Sequence, residues 1–376
     1  MAKKNESGYL SAKESRRISR ENRKITDQFD KLHKRKNVPE EEFLTQMHDQ
    51  NNSLEIENLH TYFFSDVGTV RAVDGVSFDV PIGKTVGVVG ESGCGKSVTS
   101  LSIMQLLQRP QGQIVEGEIR LNLGNGKAYD ITKTPIEQMQ KLRGNYMSMI
   151  FQEPMTSLNP VVPVGKQVQE AILQHRKISR DEAKKKVLHM LEIVGISEPE
   201  KRYRCYPHEL SGGLRQRVMI AMAMICRPKL LIADEPTTAL DVTVEAQILE
   251  LLRELRDTIG TSIILISHNL GVIAQLCDYV YVMYAGQVVE QAPVLELFDH
   301  PSHPYTQGLM DSVRSLRRGD EQLSTIPGVV PNLLHLPQGC RFAPRCSIAG
   351  EDCRRCCPEL NDLGRGHYVR CPYVLR

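Results

Sequence analysis

The stretch GESGCGKS, Gly90 to Ser97, constrains this chain more than any other part of its sequence. It follows the apolar run TVGVV and precedes a helical pattern, which is typical of a turn between a buried strand and a helix. Its glycines let successive backbone N–H groups point inward around an anion, Lys96 can reach the β- and γ-phosphates, and the Ser97 hydroxyl can ligate Mg²⁺. The pattern predicts a nucleoside-triphosphate site.

A pair of carboxylates, Asp234 and Glu235, follows the apolar run LLIA. The pair is therefore expected at the carboxyl edge of a buried strand, where α/β sheets bind ligands. An acidic pair in this position can also serve only as a helix N-cap. Downstream of a phosphate loop, we interpret Asp234 as a contact to Mg²⁺ and Glu235 as the residue that orients or deprotonates the attacking water.

A second anion-binding pattern occurs in LSGGLRQR, where Ser211, Gly212 and Gly213 open a helix. The free N–H groups and the positive dipole end of that helix favour an anion. One phosphate loop does not need a second cradle for the same nucleotide. The pattern therefore indicates that this cradle serves the nucleotide of another subunit.

The charge balance excludes a globally basic or acidic molecule, since 47 Lys and Arg residues face 45 Asp and Glu residues. No apolar stretch follows the N-terminal lysines, and the longest apolar run, VMIAMAMIC, falls short of the ~20 residues that span a bilayer. We therefore expect a cytosolic chain without a membrane span. In such a compartment, cysteines are more often buried thiols, reactive thiols or metal ligands than disulfides.

Short apolar runs bounded by turn residues alternate with helical patterns from Ser53 onward. This alternation predicts an α/β fold with a mostly parallel core sheet. One helix is predicted in detail, with Ser179 as N-cap, Glu182 in a capping box and Gly195 at its end. Before Ser53 the chain is polar, and its first part is basic. Ile18, Ile25, Phe29 and Leu32 share one helical stripe there. That stripe suggests either a solvated extension or a helix that docks on a membrane or a partner.

Five motifs together resemble the ATP-binding cassette (ABC) family over roughly residues 54–309, in the order that the family shows. They are GESGCGKS (Walker A), LSGGL (signature), LLIADE (Walker B), ALD ending at Asp241 (D-loop) and ISH ending at His268 (switch histidine). The resemblance implies a mixed sheet with flanking helices, an antiparallel β subdomain and a helical subdomain at about 155–228. It also implies a head-to-tail dimer with ATP between the Walker A of one subunit and the signature of the other. The signature has Leu214 where many family members have Gln.

The resemblance implies roles for further residues. Gln152 falls in the Q-loop, which senses Mg²⁺ and touches the membrane partner, and His268 would contact the γ-phosphate. Phe63 is the expected adenine-stacking aromatic, with Tyr62 and Phe64 as competitors. Nucleotide contacts are also expected from Gly90, Ser92, Gly93, Cys94, Gly95, Lys96, Ser97, Val98, Ser211, Gly212, Gly213 and Asp241. Ser97, Gln152 and Asp234 are the expected Mg²⁺ ligands, and Lys96, Gln152, Glu235 and His268 the catalytic set.

The stretches FQEPMTSLNP, HPSHPYTQGLM and IPGVVPNLLHLPQGCRFAPRC resemble the ATPase subunits of oligopeptide and dipeptide permeases. This branch implies two integral membrane subunits, a second ATPase subunit (identical or paralogous), an extracellular solute-binding protein and a peripheral location at the cytoplasmic face of the plasma membrane. A nickel or other small-solute importer of the same branch is the alternative. A non-transport ATPase acting on nucleic acid or ribosomes, or a degenerate cassette, fits the sequence less well.

The C-terminal region is rich in cysteine, with Cys340, Cys346, Cys353 and Cys371 spaced as C-x5-C-x6-C-x17-C. This spacing resembles the tail of peptide-permease ATPases, and we expect a [4Fe-4S] cluster there, with zinc or no metal as the alternatives. Cys356 or Cys357 could replace one ligand. The tail arginines, which include Arg341 and Arg345, could offset the charge of such a cluster. The expected organisation is an extension at 1–52, a nucleotide-binding domain at 53–320 and the cysteine region at 321–376.

Overall fold

A computed structural model of the chain describes residues 11–124, 126–152, 157–238, 240–318 and 325–374. The strands in this part of the chain are β1 Leu44–Thr45, β2 Asn52–Phe64, β3 Thr69–Pro81, β4 Thr85–Val89, β5 Gly112–Gly124, β6 Lys127–Asp130, β7 Met147–Ile150, β8 Leu230–Asp234, β9 Ser262–Ile266, β10 Tyr279–Tyr284, β11 Gln287–Pro293, β12 Asn361–Gly364 and β13 His367–Val369. The helices are α1 Ala12–His33, α2 Lys96–Ile103, α3 Ile136–Leu142, α4 Val164–His175, α5 Arg180–Ile193, α6 Pro199–Tyr203, α7 Gly212–Met224, α8 Val242–Ile259, α9 Leu270–Leu276, α10 Val294–Asp299, α11 Pro304–Arg318 and α12 Glu351–Arg355. Short 3₁₀ helices lie at Glu40–Glu42 and Pro207–Glu209.

The larger sheet has the order β12-β13-β11-β10-β4-β9-β8-β7. Strands β10, β4, β9, β8 and β7 are parallel to one another, and their continuous apolar runs are buried on both faces, as parallel strands require. Strands β11, β13 and β12 extend the sheet in antiparallel register. This arrangement brings the ends of β4, β8 and β9 to one edge of the sheet.

The smaller sheet has the order β1-β6-β5-β2-β3 and is antiparallel throughout. Its apolar side chains form one hydrophobic core with the inner strands of the larger sheet and with α2. Phe43 is buried in this core and β1 pairs with β6, so the sheet begins before Ser53, within the residues that the sequence analysis assigns to the extension.

Helices α4 to α7 form a helical region between β7 and β8, and they share a core with α8 and the larger sheet. Ser179 is the N-cap of α5, as predicted, because its side chain accepts a hydrogen bond of 3.1 Å from the Glu182 N–H. The predicted α/β architecture, with a mixed sheet, an antiparallel sheet and flanking helices, is confirmed. Among the residues that the structure describes, no helix is both long and apolar enough to cross a lipid bilayer.

Helix α1 forms where the apolar stripe predicts a helix, but its buried side chains are polar. Asn22 and Thr26 are buried, and Asn22 donates a 2.7 Å hydrogen bond to the carbonyl of Ser65 at the end of β2. In contrast, Ile25 and Leu32 of the predicted stripe are 38% and 62% exposed. The helix therefore packs on the antiparallel sheet through hydrogen bonds more than through its apolar stripe.

Residues 325–374 pack against the larger sheet. Strand β13 extends it beyond β11, and Phe342 is buried against the rings of Tyr284 and Tyr305, with centroid distances of 5.2 and 5.5 Å. Because Phe342 belongs to the same hydrophobic core as the sheet, the tail is an integrated part of the fold.

Candidate nucleotide site

The phosphate loop runs from the end of β4 to the first turn of α2. Gly95 has φ +108° as the residue before the helix, and a Cβ there would lie 2.5 Å from the Ala72 carbonyl oxygen, so only glycine fits. Lys96 is buried, and its Nζ donates to the carbonyls of Gly90 and Glu91 at 2.7 and 3.1 Å. Lys96 therefore binds carbonyls of its own loop, and the N–H groups at the start of α2 can bind an anion.

Ser97 and Asp234 meet across the loop at the end of β8. The Ser97 hydroxyl donates to Asp234 Oδ1 at 3.3 Å. Burial raises the pKa of Asp234, the charge of Glu235 adds to this effect, and the bond from Ser97 opposes it. A hydroxyl and a carboxylate at this spacing suit Mg²⁺, which takes oxygen ligands and neutralises phosphate charge when it is bound.

Glu235 lies at the centre of a hydrogen-bonded group. Its Oε2 accepts from Gln152 Nε2 at 2.8 Å and from the Thr238 hydroxyl at 3.0 Å, and its Oε1 lies 3.2 Å from His268 Nδ1. Burial alone would raise the pKa of Glu235, but the bonds from His268 and Thr238 lower it overall. The carboxylate is therefore held in the charged form that a general base requires.

The structure thus brings three of the sequence-predicted residues, Gln152, Glu235 and His268, into one group. Thr238 is a member that the sequence analysis missed. The only sequence signal for it is a hydroxyl residue three positions after the carboxylate, which is common at turns and does not by itself indicate a site.

The signature residues lie apart from this group, next to the D-loop. Ser211 is the N-cap of α7, and its hydroxyl accepts from Leu214 N at 3.4 Å. Asp241 caps α8 through a 2.9 Å bond from Val244 N, and a Cβ at Gly213 would lie 2.9 Å from the Val244 side chain. Among the described residues, no hydrogen bond joins Ser211 or Asp241 to the phosphate loop.

The three candidate aromatic residues on β2 differ in their surroundings. Phe64 is buried, and the Tyr62 hydroxyl donates to Asp74 Oδ1 at 2.5 Å. Phe63 is half-buried and pairs with Val70 and Gly112 across the sheet. Phe63 therefore differs from Phe64 in being partly accessible and from Tyr62 in making no side-chain hydrogen bond.

The cysteines of the tail converge only loosely. Cys353 and Cys371 are buried, and the Cys340 N–H donates to the Cys353 carbonyl at 2.7 Å. Burial raises the pKa of Cys340 to about 11, and the charges of Cys353 and Cys357 act in the same direction. Burial also raises the pKa values of Cys346 and Cys371, and the charge of Cys353 acts in the same direction.

As they are arranged in the described residues, these thiols are not positioned to hold a metal ion. Across the described residues, no group of three or more His, Cys, Asp or Glu side chains is arranged to hold a metal ion. Cys356 and Cys357, the alternative ligands, are exposed. The expected [4Fe-4S] or zinc site is therefore not supported by this geometry.

Taken together, the fold and the site define a P-loop nucleotide-binding cassette. Residues 73–238 match the family described as ABC transporter, and residues 289–353 match the family described as oligopeptide/dipeptide transporter, C-terminal region. The chain is 50% identical over 319 residues to a probable peptide ABC transporter ATP-binding protein of Sinorhizobium fredii, covering 85% of this chain and 94% of the relative. It is 51% identical over 318 residues to the oligopeptide transport ATP-binding protein AppD of Bacillus subtilis, covering 85% and 95%.

A solved structure agrees with this assignment. The dimeric bacterial ABC transporter cassette MJ0796 matches with a TM-score of 0.56 at 26% identity, covering 64% of this chain and 98% of that one. The chain belongs to the ATP-binding proteins of the ABC transporter family, and it is an ATPase of that family. Its tail carries the C-terminal region found in the oligopeptide/dipeptide branch.

Proposed function

We propose that this chain is the ATP-hydrolysing subunit of an importer that moves oligopeptides or dipeptides through separate membrane subunits. One observation carries the proposal: the same chain contains the hydrogen-bonded group around Glu235 and a C-terminal region that matches the oligopeptide/dipeptide transporter family. The names of relatives about half identical over 85% of the chain support the same substrate class.

In this proposal, ATP binds with its phosphates in the Gly90–Ser97 loop, and Lys96 exchanges its loop carbonyls for phosphate oxygens. Ser97, Asp234 and Gln152 would hold Mg²⁺, which would neutralise phosphate charge when bound. Glu235 accepts a proton from the attacking water, and His268 positions that water against the γ-phosphate. Phe63 stacks on adenine.

The lack of a hydrogen bond between Ser211 and the phosphate loop, among the described residues, supports a two-subunit site. Ser211, Gly212 and Gly213 would complete the nucleotide site of a second ATPase subunit, identical or paralogous, with Asp241 beside them. Closure of this pair around ATP would move the Gln152 region against two membrane subunits, and an extracellular binding protein would deliver the peptide. The chain would then lie at the cytoplasmic face of the plasma membrane.

Uptake of labelled peptides tests this function. Cells lacking the chain should fail to accumulate labelled di- and hexapeptides, and the wild-type chain should restore uptake while Lys96→Ala should not. Unchanged peptide uptake in the deletion strain, with loss of nickel uptake instead, would replace the peptide assignment with the small-solute alternative. Uptake restored by Lys96→Ala would contradict an ATP-powered role.

We further propose that the tail cysteines Cys340, Cys346, Cys353 and Cys371 ligate a [4Fe-4S] cluster, with zinc as the alternative. One observation favours these four over the alternatives: Cys353 and Cys371 are buried, whereas Cys356 and Cys357 are exposed. Since the described thiols are not arranged as a metal site, their side chains would have to draw together on loading.

Metal analysis of anaerobically purified protein decides this point. The proposal predicts about four irons and four sulfides per chain and a broad band near ~400 nm. Cys340→Ser combined with Cys346→Ser should lose them, and Cys226→Ser, a buried cysteine elsewhere, is the control. About one zinc without iron would select the alternative, and neither metal would leave the tail as plain thiols.

A further inference from the structure

An arginine of the C-terminal tail holds the phosphate loop. Arg345 Nη1 lies 2.7 Å from Glu91 Oε2, and its Nη2 lies 3.1 Å from Glu91 Oε1, so the pair is bidentate. Glu91 is the second residue of the GESGCGKS loop. Planar two-point pairing of this kind is the strongest geometry available to an arginine and a carboxylate.

Arg345 is fixed by its surroundings as well as by Glu91. Its side chain is only 4% exposed, and its guanidinium carbon lies 5.8 Å from the Tyr284 ring centroid and 5.9 Å from that of Phe342. Its remaining donors reach the carbonyls of Pro327 and Ile326, at 2.9 and 3.1 Å, and the Tyr284 hydroxyl at 3.3 Å. These contacts together hold the guanidinium in one position.

The main chain of Glu91 is tied to the nucleotide-binding lysine. The Glu91 N–H donates to the Tyr305 hydroxyl at 2.8 Å, and its carbonyl accepts from Lys96 Nζ at 3.1 Å. The position of Glu91 therefore sets the position of a carbonyl that Lys96 contacts. Arg345 holds the side chain of the same residue, so it acts on the loop without touching the nucleotide.

A second tail arginine, Arg341, contacts a turn that is hydrogen-bonded to the phosphate loop. Arg341 donates to Asp74 and to the Ala285 carbonyl in the turn between β10 and β11. The next residue of that turn, Gly286, donates its N–H to the Cys94 carbonyl of the phosphate loop at 2.9 Å. Two buried tail arginines therefore reach the loop, one directly and one through the turn.

We propose that Arg345 is a positioning residue of the nucleotide site, which makes the C-terminal tail a working part of the phosphate loop. The contact joins the two regions that match separate families, since Glu91 lies within 73–238 and Arg345 within 289–353. The sequence analysis assigns Arg345 to balancing a metal cluster, whereas the structure pairs it with Glu91. The inference rests on the proposed ATPase function through nucleotide binding alone and does not depend on the transported solute or on a metal.

Binding of a fluorescent ATP analogue with Mg²⁺, together with steady-state hydrolysis, tests the inference on the full chain. Arg345→Gln and Glu91→Gln should each raise the Kd and the KM for ATP by about five- to tenfold, since each leaves a charged partner unpaired. The kcat should stay within about twofold of wild type because no reacting atom is touched. Arg345→Lys, which keeps the charge but not the bidentate geometry, should recover part of the loss.

The double variant and two controls separate the possible outcomes. If the pair acts as a unit, Arg345→Gln with Glu91→Gln should be no weaker than the worse single variant. Arg355→Gln removes an exposed tail arginine paired with Glu351, and it should bind ATP as wild type does. Glu91→Gln preserves shape at a less buried position, so it keeps the test valid if Arg345→Gln fails to fold.

Three results would overturn the inference: a wild-type Kd in both single variants, effects that multiply in the double variant, or a fall in kcat without a change in KM. The variant Lys96→Ala shows whether a negative result rejects the role of Arg345 or the proposed nucleotide site. Wild-type binding in Lys96→Ala would reject the nucleotide site itself. Lost binding in Lys96→Ala with intact binding in both Arg345→Gln and Glu91→Gln would reject only the role of Arg345.

Discussion

Glu235 stays charged in a partly buried position because three side chains meet its carboxylate. Gln152, Thr238 and His268 all contact its oxygens, and the bonds from His268 and Thr238 lower its pKa against the opposing effect of burial. Among these partners, Thr238 is the one that can be changed without removing a residue of the catalytic set. It therefore offers a way to test how the base is tuned.

Thr238→Val should shift the pH dependence of hydrolysis. Loss of the 3.0 Å hydrogen bond removes a contribution that lowers the pKa of Glu235, so this pKa should rise. Because the base acts in its ionised form, the acid limb of the kcat profile should move to higher pH. Thr237→Val, which removes a neighbouring hydroxyl that does not bond to Glu235, is the matched control. An acid limb that is the same in all three proteins would show that Thr238 does not tune the base.

The sequence itself singles out Lys96 and Glu235 through the phosphate loop and the acidic pair, whereas the roles of Gln152 and His268 follow from the resemblance to the ABC family. Thr238 and Arg345 escape prediction for different reasons. Thr238 has an ordinary turn composition around it, and Arg345 lies 254 residues from its partner Glu91. Only the fold brings such distant residues together.

At the scale of elements, His303 lies directly before α11, and its backbone N–H donates to Glu290 of β11 at 2.9 Å. It is 1% exposed, and its Nδ1 accepts from the Tyr305 N–H at 3.1 Å, so the ring is neutral at that nitrogen. Burial lowers the pKa of His303 from 6.5 to about 4, with Arg370 acting in the same direction and Glu290 in the opposite one. The unfolded chain therefore binds a proton on this residue at a higher pH than the folded chain does.

This difference predicts acid destabilisation. As pH falls from 7 to 5, the wild type should lose about 2 kcal/mol of unfolding free energy through His303 alone. His303→Gln has no titrating side chain at this position and should not lose this contribution. The free energy of unfolding of wild type minus that of His303→Gln, measured in urea, should therefore fall by about 2 kcal/mol between pH 7 and pH 5. The control is His300→Gln, which changes an exposed neighbouring histidine. Its difference from wild type in unfolding free energy should not fall by this amount. A constant gap between wild type and His303→Gln would contradict the assignment.

Apolar runs predict the buried strands β4, β8, β9 and β10, and the capping pattern predicts α5, because local periodicity and capping chemistry determine both. The docking of α1 is not predictable in the same way. The apolar stripe of α1 does not indicate how the helix contacts the antiparallel sheet, because Asn22, which is not part of the stripe, donates the hydrogen bond to the Ser65 carbonyl. A single side chain bonded to a distant carbonyl leaves no periodic signal.

At the scale of the whole molecule, the tail and the cassette core form one unit. Strand β13 extends the larger sheet, Phe342 lies in its core, and Arg345 reaches the phosphate loop. Among the described residues, in contrast, no hydrogen bond joins the signature serine Ser211 to the phosphate loop. This fits our proposal that the signature completes the nucleotide site of a second ATPase subunit.

The central claim is that Glu235 makes this cassette an ATP-hydrolysing site. The direct measurement is bound nucleotide and released phosphate in the assembled transporter, comparing wild type with Glu235→Gln. We expect Glu235→Gln to bind ATP as wild type does, because Lys96, Ser97 and Asp234 are unchanged, while phosphate release falls by about a hundredfold or more. Phosphate release at the wild-type rate in Glu235→Gln would contradict the claim.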